Sequence, residues 1–142
     1  MSGDIFRFLL DKVDDSGKLQ KIDGKGYAGE EFAGAHRVGH FGYAYNPPKG
    51  SHGVGYSPRG MGDLAFMLGM EHPDLRPKDL APGECRLYDA EGNTIFMGLK
   101  NGIHISNKQG HVVVTSAGNV YLNGKGGARV MTENGPSEKV YA

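Results

Sequence analysis

The chain has 142 residues, enough for one ordinary domain or for a small domain with an appendage. Sixteen Lys and Arg balance sixteen Asp and Glu; ten basic and twelve acidic residues fall up to Glu84 and six and four after it, so neither part is the basic body that phosphate-backbone binding needs. Twenty-four glycines, no Trp and a hydrophobic share of 38% leave little material for a core, so a monomer is expected to be poorly buried.

From the N-terminus, Met1 to Leu10 places Asp4 where a secretion signal needs basic charge, and its apolar run is short. A soluble, unsecreted chain is the expectation. Glycines recur every few residues with β-branched and aromatic residues between them, which predicts short strands and tight turns. Ile5 to Val13 reads as a first strand, Asp14-Asp15-Ser16-Gly17 as a turn and Lys18 to Ile22 as the return. A polar, Gly-rich loop is expected from Asp23 to Gly34. His36 to Tyr45 reads as a strand stopped by Asn46-Pro47-Pro48-Lys49-Gly50, and Val54 to Tyr56 as a short one. Leu64 to Met70 is a buried strand or helical turn, far short of a membrane span. Five short strands separated by turns predict a small barrel of the oligonucleotide/oligosaccharide-binding (OB) type.

Pro73, Pro77 and Pro82 punctuate the next stretch, so Asp74 to Glu84 is a connector with one helical turn near Lys78-Asp79-Leu80. The domain boundary falls there: residues 1–84 are the OB-like domain with its Pro-rich connector, and residues 85–142 are a second part. Cys85 stands alone, which excludes an intrachain disulfide and a Cys-based zinc site and points to assembly in a reducing compartment.

The second part repeats. Gly102, Gly110, Gly118 and Gly126 are eight residues apart, with Gly92 ten before and Gly135 nine after. Between them lie Ile103 to Ser106, Val112 to Thr115, Val120 to Leu122 and Ala128 to Met131, each too short to bury a face alone. Strand alternation puts Ile103, Ile105, Val112, Val114, Val120, Leu122, Ala128 and Val130 on one apolar stripe. His104, Val113, Tyr121 and Arg129 fall opposite. A stripe on such short strands must be covered by further copies, as solenoid repeats cover one another, and a β-helix wound from several chains meets that need.

Residues with chemical potential do not assemble into a site. His36 and His40 lie on a predicted strand, where four residues span ~13 Å, too far for one ion, and His52 does not change this. Ser51-His52 and Ser57 have no acid placed to orient a base, and Cys85 has no nearby His, so no catalytic residue is expected. Gly24-Lys-Gly-Tyr-Ala-Gly29 lacks the Gly-Lys-Ser/Thr end of a phosphate loop and reads as a loop with positive-φ positions. Phe41, Tyr43 and Tyr45 alternate and could stack bases, which keeps a single-stranded nucleic-acid-binding OB protein as the alternative; in a neutral domain they read better as packing residues.

Several stretches, in this order and spacing, run through nearly the whole chain: Val13-Asp-Asp-Ser-Gly-Lys-Leu-Gln20, Gly26-Tyr-Ala-Gly-Glu30, Phe41-Gly-Tyr43, Pro47-Pro-Lys-Gly-Ser51, Arg76-Pro-Lys-Asp-Leu-Ala-Pro-Gly-Glu84 and Leu87-Tyr-Asp-Ala-Glu-Gly-Asn93. With the Gly-spaced strands after them, they resemble the central spike, or baseplate assembly protein V, family of Mu-like contractile-tailed phages. The resemblance implies an N-terminal OB-like barrel followed by a trimeric, triple-stranded β-helix stem, and it supplies the number three. It implies a virion protein assembled in the host cytoplasm: a homotrimeric spike that docks on the baseplate hub, closes the tail tube and punctures the host outer envelope on contraction. No enzyme activity, cofactor or nucleic-acid partner is expected.

The chain departs from that family at Gly60-Met-Gly-Asp-Leu64, which replaces a familiar Gly-Asp-Arg-Ser-His stretch, and in lacking the His-x-His apex that holds iron. Its ending, Gly135 to Ala142, suggests a short stem and a separate tip protein. Three copies of His104 could meet near a trimer axis and hold a metal, but the stripe register turns His104 outward. His111, after Gly110, reads as a turn-edge residue.

Overall fold

Phe6, Phe8 and Leu10 alternate with Arg7, Leu9 and Asp11, and an extended backbone sends the first set to one side. In the computed structural model, which describes residues 4–141, they line the inside of β1 (Asp4–Asp14), with Phe8 and Leu10 buried. The expectations for residues 1–3 and 142 lie outside the described residues. β2 (Lys21–Lys25), β3 (Glu31–Val38), β4 (His52–Ser57) and β5 (Phe66–Glu71) close a barrel with β1 in the order β1-β2-β3-β5-β4. β3 and β5 pair in parallel and the other neighbours are antiparallel. The small all-β barrel that the sequence predicts is therefore present, with Greek-key strand order. Ile22, Phe32, Ala35, Ala65, Met67 and Met70 complete its core. Phe32 stacks on Phe6 with ring centroids 4.8 Å apart and meets Phe8 edge-on at 6.3 Å.

Three local expectations are corrected. The stretch Asp23 to Gly34, expected as a loop, holds the end of β2 and the start of β3. Gly24 is there for packing: a Cβ on it would overlap the Leu9 carbonyl and the Phe8 ring, so the missing side chain lets β1 and β2 close over the core. His36 to Tyr45, expected as one strand, ends at Val38. The Tyr43 N–H donates to the His40 carbonyl at 3.2 Å, and Gly42 takes φ 89°, which turns the chain. The helical turn expected near Lys78-Asp79-Leu80 sits earlier, where the N–H groups of Leu75 and Arg76 donate to the His72 carbonyl at 3.3 and 3.1 Å. Pro77 prevents its continuation.

The segment after β3 is fastened to the barrel from beneath. Arg37, only 6% exposed, donates from Nε to Gln20 Oε1 and from Nη2 to the Tyr45 carbonyl at 3.2 Å. Its guanidinium lies 4.1 Å from the centre of the Tyr45 ring. The Tyr45 hydroxyl in turn donates to the Gly69 carbonyl at 2.6 Å.

Beyond the connector, β6 (Cys85–Tyr88), β7 (Thr94–Gly98) and β8 (Gly102–Ser106) form one sheet in that order. Asp89 shapes the β6–β7 turn: its carboxylate accepts from the Asn93 amide side chain at 2.7 Å and from the backbone N–H of Asn93 and Glu91 at 2.9 and 3.0 Å. A second sheet, ordered β10-β11-β9, contains β9 (Val120–Tyr121), β10 (Arg129–Thr132) and β11 (Gly135–Tyr141). The chain divides into two compact units, Met1–Ile105 and Ser106–Ala142. Val112 to Thr115, expected as a strand, lies in residues 107–119, which carry none. A strand needs a neighbouring backbone to bond, and no described part of the same chain supplies one there.

Candidate self-association surface

The register of β6 and β7 places Cys85 opposite Met97 and Leu87 opposite Ile95, so these four share a face. Cys85 Sγ is 3.8 Å from Met97 Sδ. The other face carries Arg86, whose guanidinium lies 4.8 Å from the Phe96 ring centre and donates to both carboxylate oxygens of Asp79 at 2.9 and 3.2 Å. That contact holds the Asp79 carboxyl below the ordinary carboxylate range. His104 belongs to this second face, its ring 6.3 Å from that of Phe96 and its Nε2 2.6 Å from the Asn101 carbonyl.

Alternation along β8 then sends Ile103 and Ile105 to the face of Leu87, Ile95 and Met97. The two isoleucines are 71% and 62% exposed, and Leu87, Ile95 and Met97 are exposed as well. An apolar sheet face thus lies uncovered by the described residues. Of the other stripe residues, Val112, Val114, Leu122 and Ala128 are exposed and Val120 and Val130 half-buried. Val113 and Val114 are 78% and 70% exposed, so the isolated chain does not separate inward from outward positions in that segment.

Leu87, Ile95 and Met97 are additions that the sequence reading missed. The eight-residue glycine spacing marks the stripe, and β6 and β7 precede that spacing. Their own apolar alternation was the available signal.

The remaining singled-out residues scatter. His36 is half-buried on β3, His40 stands in the turn after it and His52 opens β4 on its outer side. Ser51 is buried and its Oγ donates to the Pro48 carbonyl at 2.7 Å, while His52 next to it is exposed. Ser57 is buried as well. Gly24 lies within β2, whereas Ala28 and Gly29 take φ 53° and 82° in a 3₁₀ turn. Phe41 and Tyr43 are exposed in the loop, and Tyr45 is occupied by Arg37, so the three do not form one strand-borne platform. On the β2–β3 surface that OB-type barrels use for oligonucleotides, Lys25 stands opposite Glu31 and the charge is mixed. His111 offers its carbonyl to Asn107 Nδ2 at 3.0 Å.

Residues 7–74 match the family model described as Bacteriophage Mu Gp45, N-terminal. The matched segment is a little under half of the chain and spans the barrel from within β1 to just past β5. No curated protein matches the chain. The family match supports a structural role in a phage.

Proposed function

We propose that this chain is the central spike of a contractile-tail baseplate, working as a homotrimer. The barrel docks on the hub and closes the tail tube. The residues after the connector wind with two further copies into a triple-stranded β-helix, and sheath contraction drives that stem through the host outer envelope. The uncovered apolar face of β6, β7 and β8, together with the exposed Gly-spaced segments that follow, is the observation that carries this reading. The phage family match over the barrel supports the setting. The action is mechanical: interwound chains present few free strand edges, so the stem resists both unzipping and bending. The reading calls for no substrate, cofactor or metal, and in the wound register His104 faces outward.

Light scattering on the full chain from micromolar to nanomolar concentration tests it. The expected mass is three chains at every concentration, and a stable monomer overturns both the β-helix and the spike. The oligonucleotide-binding alternative predicts a shift of single-stranded DNA at low salt. The mixed charge of the β2–β3 surface and the engagement of Tyr45 by Arg37 speak against that outcome.

A further inference from the structure

The outer side of the barrel, opposite the core, carries a cleft of about 620 Å³ between β1, β4, β5 and the connector. Its floor follows from register: Arg7 stands opposite Val54, and Val54 opposite Leu68, so the three form one row across three strands. Val54 and Leu68 are exposed despite being apolar. Next to them, Gly69 leaves the floor open, since a Cβ on it would meet only the Gly53 Cα, at 3.9 Å, whereas Gly53 itself packs closely on the Leu68 carbonyl and the Met70 side chain.

The floor is also bent. Gly53 pairs with Gly69 but His52 pairs with Glu71, so Met70 is the extra residue of a β-bulge. Met70 takes φ 90°, a left-handed value rare for a residue with a side chain, and the Tyr45 hydroxyl bonded to Gly69 holds the bulge in place.

The walls are basic. Arg7, His52, Arg76 and Lys78 line the cleft against a single acid, Glu71, and Arg76 Nε already donates to Glu71 at 2.7 Å. Among the described residues Arg7 and Lys78 have no ion pair. An occupant therefore carries carboxylates for Arg7 and Lys78 and aliphatic groups for Val54 and Leu68. No Phe, Tyr or Trp lines the cleft, so a nucleic-acid strand would find phosphate contacts without the stacking that holds single strands.

We infer that this cleft binds an extended acidic, aliphatic segment of a partner protein, giving the barrel's docking role a location and a chemistry; the partner's place in a baseplate rests on the proposed function. The probe is a fluorescein-labelled Glu-Leu-Glu-Leu-Glu-Leu-Glu peptide, followed by anisotropy on the full chain, with dT12 and a Lys-Leu peptide in parallel. The Glu-Leu peptide is expected to bind and the others to bind at least about tenfold more weakly. R7E with K78E together, and separately Leu68→Ser on the floor, each should weaken the Glu-Leu peptide about tenfold while melting as the wild type does. Binding unaltered by either change, no binding at all, or equal binding of dT12 overturns the site. Mass measured on the same samples separates the two readings: a trimer that ignores the peptide sinks the cleft alone, and a monomer that binds it sinks the spike alone.

Discussion

The barrel and the segment after Ile105 both carry apolar residues, Phe, Leu, Ile and Met in the one and chiefly Val in the other, and reach opposite ends of burial. In the barrel, Phe8, Leu10, Ile22 and Met67 are shut off from solvent within a single chain. Among the described residues of 106–141 no side chain is buried, although six valines, one leucine and two tyrosines lie there. The difference is geometric. Five strands of five to eleven residues curl and close on themselves, whereas β9 and β10, of two and four residues, leave the seven-residue β11 in an open three-stranded sheet that encloses no face. A small closed sheet stabilises itself; a ladder of short strands depends on its neighbours.

That contrast is tested hardest in the proposed stem. Val114→Asp would place three carboxylates together in the proposed threefold core with no basic partner. Burial and like charge would raise their pKa, so the penalty is present at neutral pH and is relieved as pH falls. A loss of about 5 kcal/mol per trimer is expected from urea titration followed by mass. Val113→Asp, one residue earlier, should leave the proposed trimer intact; equal damage from both substitutions would mean a wrong register.

In the barrel the corresponding test acts without association. Phe8→Ala empties the core and should cost ~3–5 kcal/mol in denaturant unfolding, with no dependence on protein concentration beyond that of the wild type. A concentration-dependent loss would tie barrel and stem stability together.

Glycines sharpen the comparison at smaller scale. Gly24→Ala pushes a methyl into the Leu9 carbonyl and the Phe8 ring and should cost about 1–3 kcal/mol. Gly118 has open space around it and no positive φ, so Gly118→Ala should change the melting temperature of the isolated chain little.

The smallest effect concerns two turns built alike. Asp14 accepts from the Ser16 hydroxyl and N–H at 2.6 and 3.0 Å, and Asp89 is held by Asn93 and Glu91. Those bonds hold both carboxyls below the ordinary carboxylate range. A lowered value means that the support is present at neutral pH and is lost as pH falls through it. Carboxyl carbon titration by NMR should show both midpoints below those of exposed aspartates, with the Ser16, Glu91 and Asn93 amide shifts following. A midpoint at the ordinary value for Asp89 would show its turn to be held by the backbone alone.

Much of this was readable along the chain, and the failures have physical causes. Alternation over residues 5–13 identified β1 because one side of that strand is truly buried. Gly24 misled, because glycine marks both turns and close strand contacts, and only the strand across the sheet distinguishes them. The alternating aromatics Phe41, Tyr43 and Tyr45 misled in the other direction. Period-two spacing occurs in a turn as readily as in a strand, and Arg37, a surface residue by habit, is the buried anchor that captured Tyr45. The apolar face of Leu87, Ile95 and Met97 went unread because it carries no glycine period.

The sequence by itself determined the strand-rich class and the glycine spacing of the second part, because these depend on neighbours along the chain. Barrel closure, the bulge at Met70, the row of Arg7, Val54 and Leu68, and the sharing of one face by Ile103, Ile105, Leu87, Ile95 and Met97 were decided only in three dimensions. Each is set by which strand lies beside which and in what register, and a register is a relation between residues distant in the chain that no local pattern encodes.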